Sequence, residues 1–256
     1  VEVKMLMKCL VNLHTNMMTD QNFLKDIVKA TSSGKKPTKE QLEWYGMFLP
    51  STPLLQCDLS KNKNIMDYLW AIIDEAKEAD INFNSKLAGN ISNSLSLIDR
   101  DGYFFDTFLK GVCTEYIKEH IRYHFDLDIG LREFWVNFSK KHEFNPLHDH
   151  AGLLSFVIWM DIPTKSKDQH NLPISKHSGV PAASDFQLVY TDVTGSIRTH
   201  SIDMDPSMNG TIILFPSNMA HQVYPFYECE DERVSISGNI FGKTSPWDTI
   251  KYDTGS

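Results

Sequence analysis

The chain has 256 residues, enough for one large domain or a core with an appendage, and 41% hydrophobic against 23% charged residues is ordinary for a globular protein. A net charge of −8 argues against a general nucleic-acid binder, which would show a basic face. The longest apolar runs, such as residues 153–160, fall far short of the roughly 20 residues that cross a bilayer.

The first residues carry a short apolar patch without a small-residue cleavage site, so no signal peptide is read there. Cys9, Cys57, Cys113 and Cys229 lie far apart with no CxxC pair. That spacing suits buried thiols in a reducing compartment, the cytoplasm, better than a zinc ribbon or a disulfide framework.

In chain order, the first half reads as helical. Leu24, Ile27 and Val28 share a face after a capping Asp20, and Thr38 with Gln41 has capping-box spacing. Residues 64–79 place Ile65, Met66, Leu69, Trp70 and Ile73 on one stripe. Residues 103–125 do the same with Phe105, Phe108, Leu109, Val112, Tyr116, His120 and Ile121. His120 and His124 stand four apart there, a spacing that could hold a metal ion, although a solvent-facing pair is the plainer reading.

From about residue 131 the texture changes to short runs rich in β-branched and aromatic residues: REFWVNFSK, LLSFVIWMDI, SDFQLVYTD, SIRTHSIDM, GTIILFP and RVSISGNIF. Strands at this spacing imply a sandwich or barrel. Between two of them, residues 163–184 are polar, hold three prolines and read as a mobile flap. The expected layout is a helical region at 1–130 bracing a β core at 131–243, with a tail at 244–256.

His148 and His150 are two apart, so on an extended chain they face the same way while Asp149 faces the other. His221 follows the apolar run Gly210–Phe215. Two imidazoles at i and i+2 plus a distant third at the mouth of a β core suit one face of a metal ion, leaving the opposite face open. The bland alternative is surface loop histidines with no shared partner. If the chain turns at Leu147 instead of staying extended, Asp149 becomes the third ligand and His150 orients it.

Arg233 lies 12 residues after His221 in ERVSIS, alternating onto one side with Ser235. An arginine on a core strand is costly unless it meets an anion, and its planar fork matches a carboxylate. Either a local acid, Asp231 or Glu232, pairs with it, or it anchors the far carboxylate of a cosubstrate that chelates the metal.

These residues resemble a family. FWVNF, NPLHDHAG, SFVIWMDIP, LFPSNMAHQVYPF and ERVSISGNI are similar to motifs of the Fe(II)/2-oxoglutarate-dependent oxygenases, in the prolyl-hydroxylase-like branch common in marine bacteria and cyanophages. The likeness runs over about residues 85–243, loosely including LAGNISNS. It implies a double-stranded β-helix (jelly-roll) core, with Fe(II) held by His148, His150 and His221. It implies 2-oxoglutarate with its C5 carboxylate on Arg233 and Ser235, and Asn137 and Trp135 in the cosubstrate pocket. O2 and an unidentified peptide or small-molecule substrate complete the reaction, which yields succinate and CO2. The wider superfamily has a carboxylate two residues after the first histidine, where this chain has His150.

Residues 210–221 also resemble the second motif of cupins, which would suit a three-histidine iron dioxygenase using no 2-oxoglutarate. The first cupin motif needs a glutamate shortly after HxH, and HAGLLSFV has none. A third reading is a non-enzymatic metal-binding module on the same fold.

Overall fold

Alternating side chains sort the β strands into two layers. The computed structural model describes residues 54–121 and 128–242, all within the unit Pro53–Ser256. The helices expected around residues 20–30 and 38–48, together with His124 and the 244–256 tail, lie outside the described residues.

Among the described residues, ten strands form two antiparallel sheets. The large sheet runs in the order β1 (Leu55–Asp58), β8 (Thr211–Pro216), β5 (Leu154–Asp161), β10 (Arg233–Gly242), β3 (Ile129–Ser139), β2 (Asn93–Ser96). The small sheet runs β4 (Asn145–His148), β9 (Ala220–Val223), β6 (Phe186–Thr191), β7 (Ile197–Ile202). From β3 to β10 the chain passes repeatedly between the two sheets, with the β6–β7 hairpin as the one step that stays within a sheet. Eight strands wound this way make a double-stranded β-helix, or jelly roll.

Every expected strand forms. The sequence reading missed four: β1 and β2, which add edges to the large sheet from within the segment read as helical, and β4 and β9. All four are only four residues long, too short to show a clear alternation.

The large sheet is buried on both faces. On β5, Phe156, Ile158 and Met160 join the apolar cluster that includes the helices, while Val157 and Trp159 join the cluster between the sheets. β8 divides likewise, with Ile212 and Leu214 outward and Ile213 and Phe215 inward. On β3 and β10 the outward residues are Phe134, Val136, Phe138, Val234, Ile236 and Ile240. Their inward neighbours are polar or aromatic and line a cavity.

The covering helices follow from their stripes. Helix α1 (Lys63–Ala79) starts where the Asn62 side chain accepts from the Ile65 N–H, and it buries Ile65, Leu69, Ile72, Ile73 and Ala76. The buried face is turned slightly from the expected one: Ile72 enters the core and Trp70 stands at its margin, 36% exposed. In the second helical segment, α2 (Lys110–Tyr116) lies between two π-helical turns, Phe105–Leu109 and Ile117–Ile121. Phe104, Leu109, Cys113 and Ile117 are buried there, and His120 is exposed.

The expected flap is well anchored. Helix α3 (Ser166–His170) opens it, and the Gln169 amide both donates to the Tyr227 carbonyl (2.9 Å) and accepts from the Tyr227 N–H (2.8 Å). The His170 ring donates to Asp185 at 2.7 Å. No residue of 164–184 lines the cavity. Length and polarity suggested a lid, but buried side-chain clasps hold the loop against 224–228.

Gly238 sits in mid-β10 between Phe134, whose ring stacks on Phe104, and Phe156, whose ring meets Phe104 edge-on. A Cβ there would meet Phe156 Cζ at 2.7 Å and the Glu133 carbonyl at 2.8 Å. Gly238→Ala should therefore destabilise the fold by about 1–3 kcal/mol through overpacking, read as a lower urea midpoint with unchanged slope.

Candidate metal and anion site

The short pair β4–β9 does the positioning. Its register sets His148 directly opposite His221. His150 follows two residues later, beyond the end of β4, where its N–H donates to the Ser217 carbonyl at 2.8 Å and ties the turn to the β8–β9 connection. The ring centroids of His148 and His221 are 4.3 Å apart, and each is 5.0 Å from that of His150. One nitrogen of each ring lies within 4.8 Å of the others. Asp149 is exposed and outside this cluster.

Two of the rings are oriented by backbone. His148 Nδ1–H donates to the Pro146 carbonyl at 2.7 Å and His221 Nδ1–H to the Met219 carbonyl at 2.9 Å, leaving each Nε2 as the lone-pair nitrogen. Phe186 and Phe215 pack on the His221 ring. Burial, with His148 nearby, pushes the His150 imidazole down to about 4, against a small opposing effect of Asp149. Burial also takes His221 down to about 3. Both are neutral at physiological pH, the state in which imidazole binds a metal. Three imidazole nitrogens converging at the edge of a cavity fit Fe(II).

The anion end lies across the cavity. Arg233 is 3% exposed. Its guanidinium donates to the Ser184 carbonyl (3.0 Å) and hydroxyl (3.4 Å) and to the Tyr224 carbonyl (3.4 Å), and it lies over the Phe226 ring. No acid pairs with it among the described residues, Asp231 and Glu232 included. Burial alone pushes its pKa down to about 10, so it stays charged. Among the described residues no carboxylate lines the cavity. A cavity with a buried cation, neutral imidazoles and no acid is built for an anion.

Ser235 and Ser237 continue from Arg233 along β10, and Ser139, Asn137 and Trp135 face the same cavity from β3. Asn137 Oδ1 accepts from the Ser94 hydroxyl at 2.7 Å. Trp135 stacks on Phe83, and its indole N–H is buried without an acceptor among the described residues.

All seven residues singled out from the sequence thus line one cavity. What sequence reading missed is the opposite wall, formed by Leu87, Ala88, Gly89 and Ile91. An isolated bridge between Asn90 and Phe144 draws that loop against the β4 side, with Gly89 close to Asn145. Small apolar residues in a loop carry no chemical signal of such a role. Ser184, in the left-handed region at φ 74°, was also missed, since a lone serine in a polar loop gives no sign that it will meet Arg233.

Residues 133–239 match the model of a family described as 2OG-Fe(II) oxygenases. A search of the curated proteins finds no match. Among solved structures, a Pseudomonas putida prolyl-4-hydroxylase is similar at 14% identity and TM-score 0.47, covering 76% of this chain and 95% of that one. A Trichoplax adhaerens prolyl hydroxylase, in complex with a hypoxia inducible factor peptide fragment, is similar at 12% identity and TM-score 0.47, covering 75% and 84%. HygX from Streptomyces hygroscopicus, with nickel and 2-oxoglutarate bound, is similar at 10% identity and TM-score 0.44, covering 75% and 83%.

The two depressed histidines make the metal-free protein acid-sensitive. The unfolded chain takes up their protons near pH 6.5, while the fold excludes them down to about 4 and about 3. Their contribution to stability is complete above pH 6.5 and is lost as pH falls toward 4. Replacing both by Gln should flatten the fall of the urea midpoint over that range relative to the unaltered protein.

Proposed function

We propose that this chain is an Fe(II)- and 2-oxoglutarate-dependent oxygenase, a reading supported by the match of residues 133–239 to that family and by the chemistry of the cavity. His148, His150 and His221 hold the iron. Arg233 and Ser235 hold the C5 carboxylate of 2-oxoglutarate, and Asn137 and Trp135 form the neighbouring wall. The bound groups and O2 together supply conversion of 2-oxoglutarate to succinate and CO2, coupled to oxidation of a substrate C–H bond. The chain's own residues bind, orient and exclude water. The substrate is a peptide or small molecule. The catalytic core is 131–243. The buried thiol of Cys113 suits the cytoplasm.

The observation that carries this reading is Arg233, a buried guanidinium with hydrogen bonds only to neutral oxygens. A bound dicarboxylate supplies the missing charge. Three histidines alone would also suit a cupin-type dioxygenase without 2-oxoglutarate, but that chemistry leaves Arg233 without purpose.

Arg233→Ala should raise the 2-oxoglutarate dissociation constant at least about tenfold, since losing a charge-assisted fork to a buried carboxylate costs about 2–5 kcal/mol. Unchanged binding, measured by anaerobic calorimetry, would favour the cupin-type reading. In anaerobic metal titrations Asp149→Asn should keep the site, while His150→Ala and His221→Ala should lose it. The opposite outcome for Asp149 and His150 would make the aspartate the third ligand.

A further inference from the structure

The indole N–H of Trp135 is a buried donor with no acceptor among the described residues. The residue is 3% exposed, so water does not serve it from bulk. A buried unpaired donor is destabilising and calls for an acceptor. The ring is fixed for such a partner: Phe83 stacks on it at 5.2 Å, and His150 meets it edge-on at 5.8 Å.

Strand register gives the donor an address. On the paired strands β3 and β10, Ser139 lies opposite Arg233, Asn137 opposite Ser235 and Trp135 opposite Ser237. All six line the cavity. Same-face rungs are spaced about 7 Å apart. The ladder therefore has a cationic end at Arg233 and a neutral-donor end at Trp135, and the latter lies against His150. A dicarboxylate with one end on Arg233 presents its other end to the histidines and the indole. A carboxylate has two oxygens, and a metal ion that takes one leaves the other in need of a donor.

We infer that the Trp135 indole N–H donates to the metal-side C1 carboxylate of 2-oxoglutarate, which makes it a cosubstrate-positioning residue at the end opposite Arg233. This rests on the functional reading above. A donor with no charge of its own holds the carboxylate without competing with the metal for it.

The test uses the full chain loaded with Mn(II) under nitrogen and two ligands, 2-oxoglutarate and 4-oxopentanoate, in which a methyl replaces the C1 carboxylate. Trp135→Phe keeps a ring and removes the N–H. Calorimetry should show 2-oxoglutarate weakened about tenfold or more and 4-oxopentanoate changed by less than about twofold. Equal weakening of both ligands, or no change for 2-oxoglutarate, overturns the inference while leaving Arg233's role intact. Failure of the unaltered protein to bind 2-oxoglutarate sinks the functional reading itself. If Trp135→Phe does not fold, the zinc-loaded protein with 15N-labelled tryptophan decides. The Trp135 indole proton should move downfield with 2-oxoglutarate and not with 4-oxopentanoate, and no difference between the ligands overturns the inference.

Discussion

Alternation of side chains across the large sheet is the constraint on which everything else rests. Each of β3, β5, β8 and β10 sends one set of residues toward the helical cover and the other into the space between the sheets. The outward set is apolar throughout. β5 and β8 contribute Val157, Trp159, Ile213 and Phe215 to the inward side, whereas β3 and β10 contribute Asn137, Ser139, Arg233, Ser235 and Ser237. A slip of one residue would exchange these sets, placing Arg233 among the helices and Val234 in the cavity, so the packed helices also protect the register of the site.

The charge distribution inside follows from that division. Burial without a partner acid is unfavourable for a guanidinium, and the fold offsets it only with neutral oxygens from Ser184 and Tyr224 and with the face of Phe226. The loop that supplies Ser184 is held by His170 on Asp185 and by Gln169 on Tyr227. The anchored segment thus supports the cationic end of the site from behind.

At the other end, neutrality of His150 and His221 is itself a result of burial. Three imidazoles instead of two with a carboxylate leave a bound divalent ion one unit more positive, which strengthens its hold on anions at the open face. With Arg233 at the far end, both ends of the cavity favour anionic groups.

A sandwich or barrel, six of the strands and the HxH, His221 and Arg-x-Ser candidates were legible in the sequence, because alternation, β-branched runs and short spacings are local properties of the chain; the jelly roll and the cavity places of Asn137 and Trp135 were expected only through the likeness to the oxygenase motifs. Helix stripes were legible to within part of a turn: the Ile65–Leu69 line was visible, but the exchange of Trp70 for Ile72 depends on the shape of the sheet beneath. Only the tertiary structure decided the rest. β4 and β9 are four residues each and exist as strands through their pairing, which is what brings His148 opposite His221. The convergence of His150 beyond the end of β4 depends on a hydrogen bond to Ser217, a residue 67 positions away in the chain. The Leu87–Ile91 wall, the clasps that hold the expected flap, and the absence of an acid beside Arg233 are long-range facts of the same kind. They are set by which distant segments meet, and no local pattern in the chain encodes that.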